Sequence, residues 1–311
     1  MNDGQPPSRR RRFGVPRRSS LHHSASGGGT GQRGSARGSV RKTRRSNEGL
    51  LRAFVPSWPG NVGGVLLIGW LLGAGHAFAQ DARAIVAEAQ RRTEATSQRY
   101  EGVLQVFNAK GAIADKRWLL ERLGSHGNSR MVLRFTAPAE VKGVAMLVVN
   151  HPDRASDQWM WTPAIERDRR IALQDRSTQF FGTDFSFEDL EERDVDQFDY
   201  TLLGEEAVDG ASCWKIQSVP KKSKTSQYTR SMVWIRKDNY VPARVESYVR
   251  DQAARRLNYS DIHTVQGIWT ARVLEMSDLR RGSRTRLTLD KLEYNLPLKE
   301  ENFTLQALRR Q

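Results

Sequence analysis

The chain has 311 residues, with 50 Lys+Arg against 35 Asp+Glu, a formal net charge of +15 and one cysteine. A lone cysteine excludes an internal disulfide, a CxxC redox motif and a Cys/His zinc cluster. The positive excess does not point to nucleic acid: residues 1–79 hold 13 of the basic side chains and only Asp3 and Glu48 of the acids, leaving 37 basic and 33 acidic residues, about +4, for the remainder.

Residues 1–52 are rich in Arg, Ser and Gly and almost free of apolar side chains. Such a segment cannot bury enough surface to offset its ordering entropy, so a disordered leader is expected. Residues 53–79 contain the apolar run VGGVLLIGWLLGAG and end in Ala77-Phe78-Ala79, the small-x-small pattern of a secretory cleavage site. A cleavable signal peptide is therefore expected, with cleavage between Ala79 and Gln80. A leader this long also points to a translation start downstream of Met1. Residues 80–311 form the expected mature domain.

That domain opens with Ala82, Ile85, Val86, Ala89 and Thr93 at helical spacing, the stripe of a helix with one side on a core. After Tyr100 the period changes to two. GVLQVF, KRWLLERL, RMVLRF and GVAMLVV are separated by Gly/Asn/Asp-rich turns, which predicts an antiparallel meander. Met131, Leu133 and Phe135 point one way while Arg130 and Arg134 point the other, as in a sheet with one solvated face.

Between two sets of strands lies Trp159–Leu190, WMWTPAIERDRRIALQDRSTQFFGTDFSFEDL. Its rings Phe180, Phe181 and Phe185 predict a loop that covers apolar space as the mouth or lid of the β body, mobile when the space beneath it is empty. Ser186 and Asp189 have the spacing of a capping box for one short helix. Further strands follow from Phe198 to Tyr294, with Val208-Asp209-Gly210 and Lys237-Asp238-Asn239 as turns. Ten or eleven strands at this spacing predict an all-β sandwich or barrel. Met232-Val233-Trp234-Ile235 is apolar on both faces, so the sheet is expected to be covered on both sides there, with the helix on one and, on the other, either a cavity or a packed barrel core.

No catalytic constellation emerges. His126, His151 and His263 are scattered, and HExxH, GxSxG, P-loop and GxGxxG patterns do not occur. Glu188 and Asp189 are a conceivable acid/base pair, but capping explains them more simply. Glu191, Glu192 and Asp194 read as solvated acids rather than calcium ligands, and Cys213 as a small buried hydrophobe. No cofactor and no metal are expected.

The succession FTAPAEVKGVAMLVV, DQWMWTPAIERDRRI, FFGTDFSFEDL, YTLLGEEAVDGASCWKIQSVPK, YTRSMVWIRKDNYVPARVE and NFTLQAL, spanning about Ala82 to Leu308, resembles the outer-membrane lipoprotein-sorting protein family, related to the periplasmic carrier LolA. The resemblance implies a mainly β fold, an incomplete antiparallel β-barrel of about eleven strands closed by helices, with an apolar cavity for acyl chains. Its expected lining is Met131, Leu133, Phe135, Trp159, Trp161, Phe180, Phe181, Phe185, Trp214, Met232 and Trp234. Arg167, Arg169, Arg170, Lys221 and Lys222 are expected to meet head groups or an acidic partner.

The expected function is a monomeric periplasmic carrier, not an enzyme, that binds acyl chains of a lipid or lipoprotein. Inner-membrane export machinery and an outer-membrane acceptor are its expected partners, and nucleic acid is not. The alternative is an envelope sensor or adaptor that binds a protein through the same barrel.

Overall fold

The computed structural model describes residues 82–310, so the expected leader, signal peptide and cleavage point lie outside the described residues. Helix α1, residues 82–92, comes first. Its stripe is buried as its spacing demands: Ala82 and Ala89, with Ile85 and Val86, pack on Ile216 and Ile235. On its outer side Glu88 accepts bonds from Arg91 and Arg92, and the Arg92 guanidinium lies 4.0 Å above the Tyr240 ring.

Thirteen antiparallel strands follow. They are β1 Ser97–Phe107, β2 Ile113–Ser125, β3 Asn128–Ala137, β4 Ala145–Val149, β5 Asp157–Thr162, β6 Arg167–Arg170 and β7 Phe198–Val208. The set continues with β8 Ala211–Pro220, β9 Arg230–Arg236, β10 Pro242–Val249, β11 Gln252–Val265, β12 Ile268–Asp278 and β13 Ser283–Tyr294. The count exceeds the expected eleven, in part because the Trp159 stretch itself contributes β5 and the short β6.

All thirteen belong to one sheet of order β6-β5-β4-β3-β2-β1-β13-β12-β11-β10-β9-β8-β7, a barrel left unclosed between β6 and β7. The tight hairpins obey turn chemistry. Asp209-Gly210 joins β7 to β8 and Gln266-Gly267 joins β11 to β12, each with two successive positive φ angles, as a two-residue turn matched to strand twist requires.

The inner and outer faces of the sheet are covered by different parts of the chain. Inside, Leu104, Trp118, Met131, Leu133, Phe135, Met146, Val148 and Leu289 form a core with Ile171, Phe180 and Phe187 of the loop between β6 and β7. Outside, Val132, Ala145, Leu147 and Trp161 pack against Phe303 and Leu308. Leu308 belongs to the short C-terminal helix α2, Leu305–Leu308.

The short helix expected around Ser186–Leu190 is a single 3-10 turn, Glu188–Leu190. The reciprocal bonds of a capping box are present, with the Ser186 amide donating to the Asp189 carboxylate at 2.7 Å and the Asp189 amide donating to Ser186 Oγ at 3.3 Å. The helix stops there because Glu191 is already extended.

Candidate functional site

Strand register lays two unlike rows of side chains across the inner face. Directly opposed neighbours give Leu202, Ile216, Val233, Val245, Leu257 and Met276 as one row from β7 to β12. Two residues along, the same strands give Tyr200, Ser218, Ser231, Ser247, Arg255 and Asp278. Residues two apart on a strand share a face, so an apolar track runs beside a polar one.

Where α1 and residues 188–193 approach this surface without filling it, a cavity of about 350 Å³ remains. Val86 and Ala89 of α1 form its roof, with Val233, Val245, Leu257 and Met276 as its apolar floor and Ser218, Ser247 and Arg255 at its polar side. This volume lies near the lower end of the roughly 300–1,000 Å³ of small-molecule sites.

The acids that border the cavity are committed elsewhere. Glu191 pairs with Arg176 and, at 3.5 Å, with Lys224. Glu192 pairs with Arg122, and Asp189 accepts from the Tyr228 hydroxyl at 2.9 Å. Glu188 accepts from Ser226 and, at 2.9 Å, from the Gln227 amide, while burial pushes its carboxyl above the ordinary value. Burial likewise raises the Tyr200 and Tyr259 phenols, so both stay protonated donors at neutral pH. The His126 imidazole is held below its usual value, first by burial and then by Arg122; its Nε2 lies 2.9 Å from the Gln90 carbonyl.

None of the eleven expected lining residues borders this cavity. Met131, Leu133, Phe135 and Phe180 are solid core, with Phe135 and Phe180 stacked at 5.7 Å and Phe181 edge-on to both. Phe185 is buried, and its carbonyl accepts from the Phe180 amide at 2.8 Å. Trp159 and Trp161 face outward beneath the C-terminal segment. Trp214 packs with α1. Met232 and Trp234 lie on the outer face with Val208 and Cys213, where Lys215 and Arg244 stand over the Trp234 ring. The helix and the cavity thus share one face of β9, not opposite faces. Cys213 is buried, as its sequence context implied.

The expected lid is a plug. Asp184 is 2 % exposed and is held by Arg281, Ser283 and Thr285, so the Phe180–Phe185 turn is bonded to β13. Basic residues of the two expected head-group clusters are also engaged or apart. Arg169 pairs with Asp175 and Arg170 with Asp157, and Arg167 is exposed on edge strand β6. Lys221 and Lys222 follow β8, near the other end of the strand order.

The polar residues that line the cavity were missed because no segment advertises them. Ser218 and Ser247 are single serines in separate strands, and only register sets them in one row, with Ser231 between them.

A family model described as "Uncharacterized protein" matches residues 127–310. Among curated proteins no match is found. Solved structures are similar over nearly all of the described residues. An outer-membrane lipoprotein-sorting protein domain from Vibrio parahaemolyticus shares 27% identity at a TM-score of 0.71, covering 75% of this chain and 100% of that one. A DUF1329 family protein from Desulfovibrio piger shares 28% at 0.71, covering 74% and 99%. A LolA superfamily protein from Nitrosomonas europaea has 19% identity and a TM-score of 0.59 over 73% and 98%, a likeness of fold.

Proposed function

We propose, from the premise that this chain belongs to the family matched over residues 127–310 and is related to the outer-membrane lipoprotein-sorting proteins, that it is a non-enzymatic carrier of acyl chains. The observation that carries this reading is the cavity between α1 and the sheet, with its apolar floor of Val233, Val245, Leu257 and Met276. A chain laid on that track leaves water at ~0.8 kcal/mol per CH₂. One chain in so small a space binds reversibly, which is what a protein that must release cargo requires. The working compartment is the periplasm, reached by cleavage between Ala79 and Gln80, with a lipid or lipoprotein as cargo passed between inner-membrane export machinery and an outer-membrane acceptor.

Native mass spectrometry of the exported protein, purified without detergent, tests the reading, and a co-purifying acylated species is the expected result. Leu257→Trp, which fills the cavity from its floor, is expected to abolish uptake of a fluorescent acyl probe while the chain stays folded. Full uptake by that variant, or none by the unaltered protein, defeats the proposal. N-terminal sequencing of the exported chain checks the cleavage point.

A further inference from the structure

Arg193 differs from the other Arg and Lys side chains around the cavity. Arg122, Arg176 and Lys224 each face a carboxylate of the same loop, and Arg255 lies 4.0 Å from Asp189 and 3.7 Å from Asp278. Among the described residues no carboxylate lies within ion-pair distance of Arg193, whose guanidinium sits 5.7 Å from the centre of the Phe198 ring. Its backbone is fixed, since its carbonyl accepts from Gln90 Nε2 of α1 at 2.6 Å. The side chain is half-buried and borders the cavity together with Tyr200 and Ser218 of the polar row.

A half-buried cation facing a partly apolar space gains from an anionic partner more than a solvated one does, because water screens it less. The two rows of the floor run parallel, so a single ligand can reach the polar row and Arg193 at one end while its chain follows Val245, Leu257 and Met276. Tyr200 and Tyr259, whose phenols feel the charge of Arg193, are hydroxyl donors bordering the same space.

We infer that the cavity takes a single-chain amphiphile with an anionic head, a carboxylate or a phosphate monoester, and that Arg193 is the residue that binds that head. This rests on the carrier reading above and narrows its ligand class.

The experiment compares decanoate, decyl phosphate and decanol as competitors of a fluorescent acyl probe, on the unaltered protein, Arg193→Gln and Arg193→Lys. Arg193→Gln is expected to weaken the two anions on the order of tenfold or more, as loss of a charge-assisted hydrogen bond does. Decanol affinity and the unfolding temperature are expected to stay unchanged, and Arg193→Lys to keep most of the anion preference. Whichever of decanoate and decyl phosphate binds the unaltered protein more tightly identifies the head. Equal weakening of all three competitors, or of none, overturns the assignment of Arg193 while leaving the carrier reading standing. Binding of none of them by the unaltered protein overturns both.

Discussion

Asp184 and Thr285 hold each other by two hydrogen bonds. The Thr285 hydroxyl donates to the Asp184 carboxylate at 2.8 Å and accepts from the Asp184 amide at 2.8 Å. The two residues are 2 % and 0 % exposed, so water cannot replace either bond. Thr285→Val keeps the shape and removes both, leaving a buried amide and a buried charge short of partners. The expected cost is roughly 2–4 kcal/mol, or a fall of about 5–15 °C in Tm, measured by thermal unfolding. Thr285→Ser is expected to recover most of it.

Arg176 and Glu191 form an ion pair whose side chains are 9% and 7% exposed. Arg176 also bonds the Ser156 hydroxyl at 3.0 Å, tying the plug to the start of β5. Removing Arg176 leaves the buried Glu191 carboxylate with only the longer contact to Lys224 at 3.5 Å and the Gln158 amide at 3.1 Å, so Arg176→Met is expected to cost about 3 kcal/mol. Adding Glu191→Leu is expected to return part of that loss. A double-mutant cycle by urea denaturation measures it, and strictly additive costs refute the coupling.

Two carboxyls give opposite pH trends. Burial raises the Asp157 value, but hydrogen bonds from Arg154, Arg170 and His151 outweigh it and hold the group well below the usual carboxylate range. A depressed folded value means stability present above the unfolded pKa of about 4 and lost as pH falls. The deficit of Asp157→Asn is therefore largest at neutral pH and shrinks on acidification. Glu188 is raised by burial against the bonds of Ser226 and Gln227. Its folded form holds the proton more tightly, so its contribution is lost as pH rises, and Glu188→Gln gains on the unaltered protein from about pH 4 to pH 7. Urea midpoints across that range check both signs.

Leu308 is fully buried on the outer face. Leu308→Ala is expected to cost about 2–5 kcal/mol and to raise hydrogen exchange in β4 and β5. Acyl-probe affinity is expected to stay within a factor of about two, since the cavity lies on the other side of the sheet and distant sites act independently. A large loss of affinity refutes the separation of the two faces.

Period-two alternation made the strands legible, and the α1 stripe, the Asp209-Gly210 turn and the Ser186/Asp189 box could be read from spacing alone. The cavity could not. Whether Val233 or Trp234 faces it depends on where α1 docks, a contact across more than a hundred residues. The rings Phe180, Phe181 and Phe185 read as a lid because aromatic mass in a loop resembles a cover. What makes them a plug is Asp184, whose partners Arg281, Ser283 and Thr285 lie about a hundred positions further on.

The strand order has a consequence for how the domain comes together. Eleven of the twelve ladders join strands adjacent in sequence, and only β1 with β13 closes over the whole length. The sheet is a circularly permuted meander: β7 to β13 followed by β1 to β6 reads in unbroken order. Each half can zip from local hairpins, and the slow step is the one long closure that welds them, since loop entropy falls on that ladder. The segment from β6 to β7 has to travel between the two free edges of the same sheet. A nick within it would leave two meanders held side by side by the β1–β13 ladder and by the docking of α1 on β8 and β9.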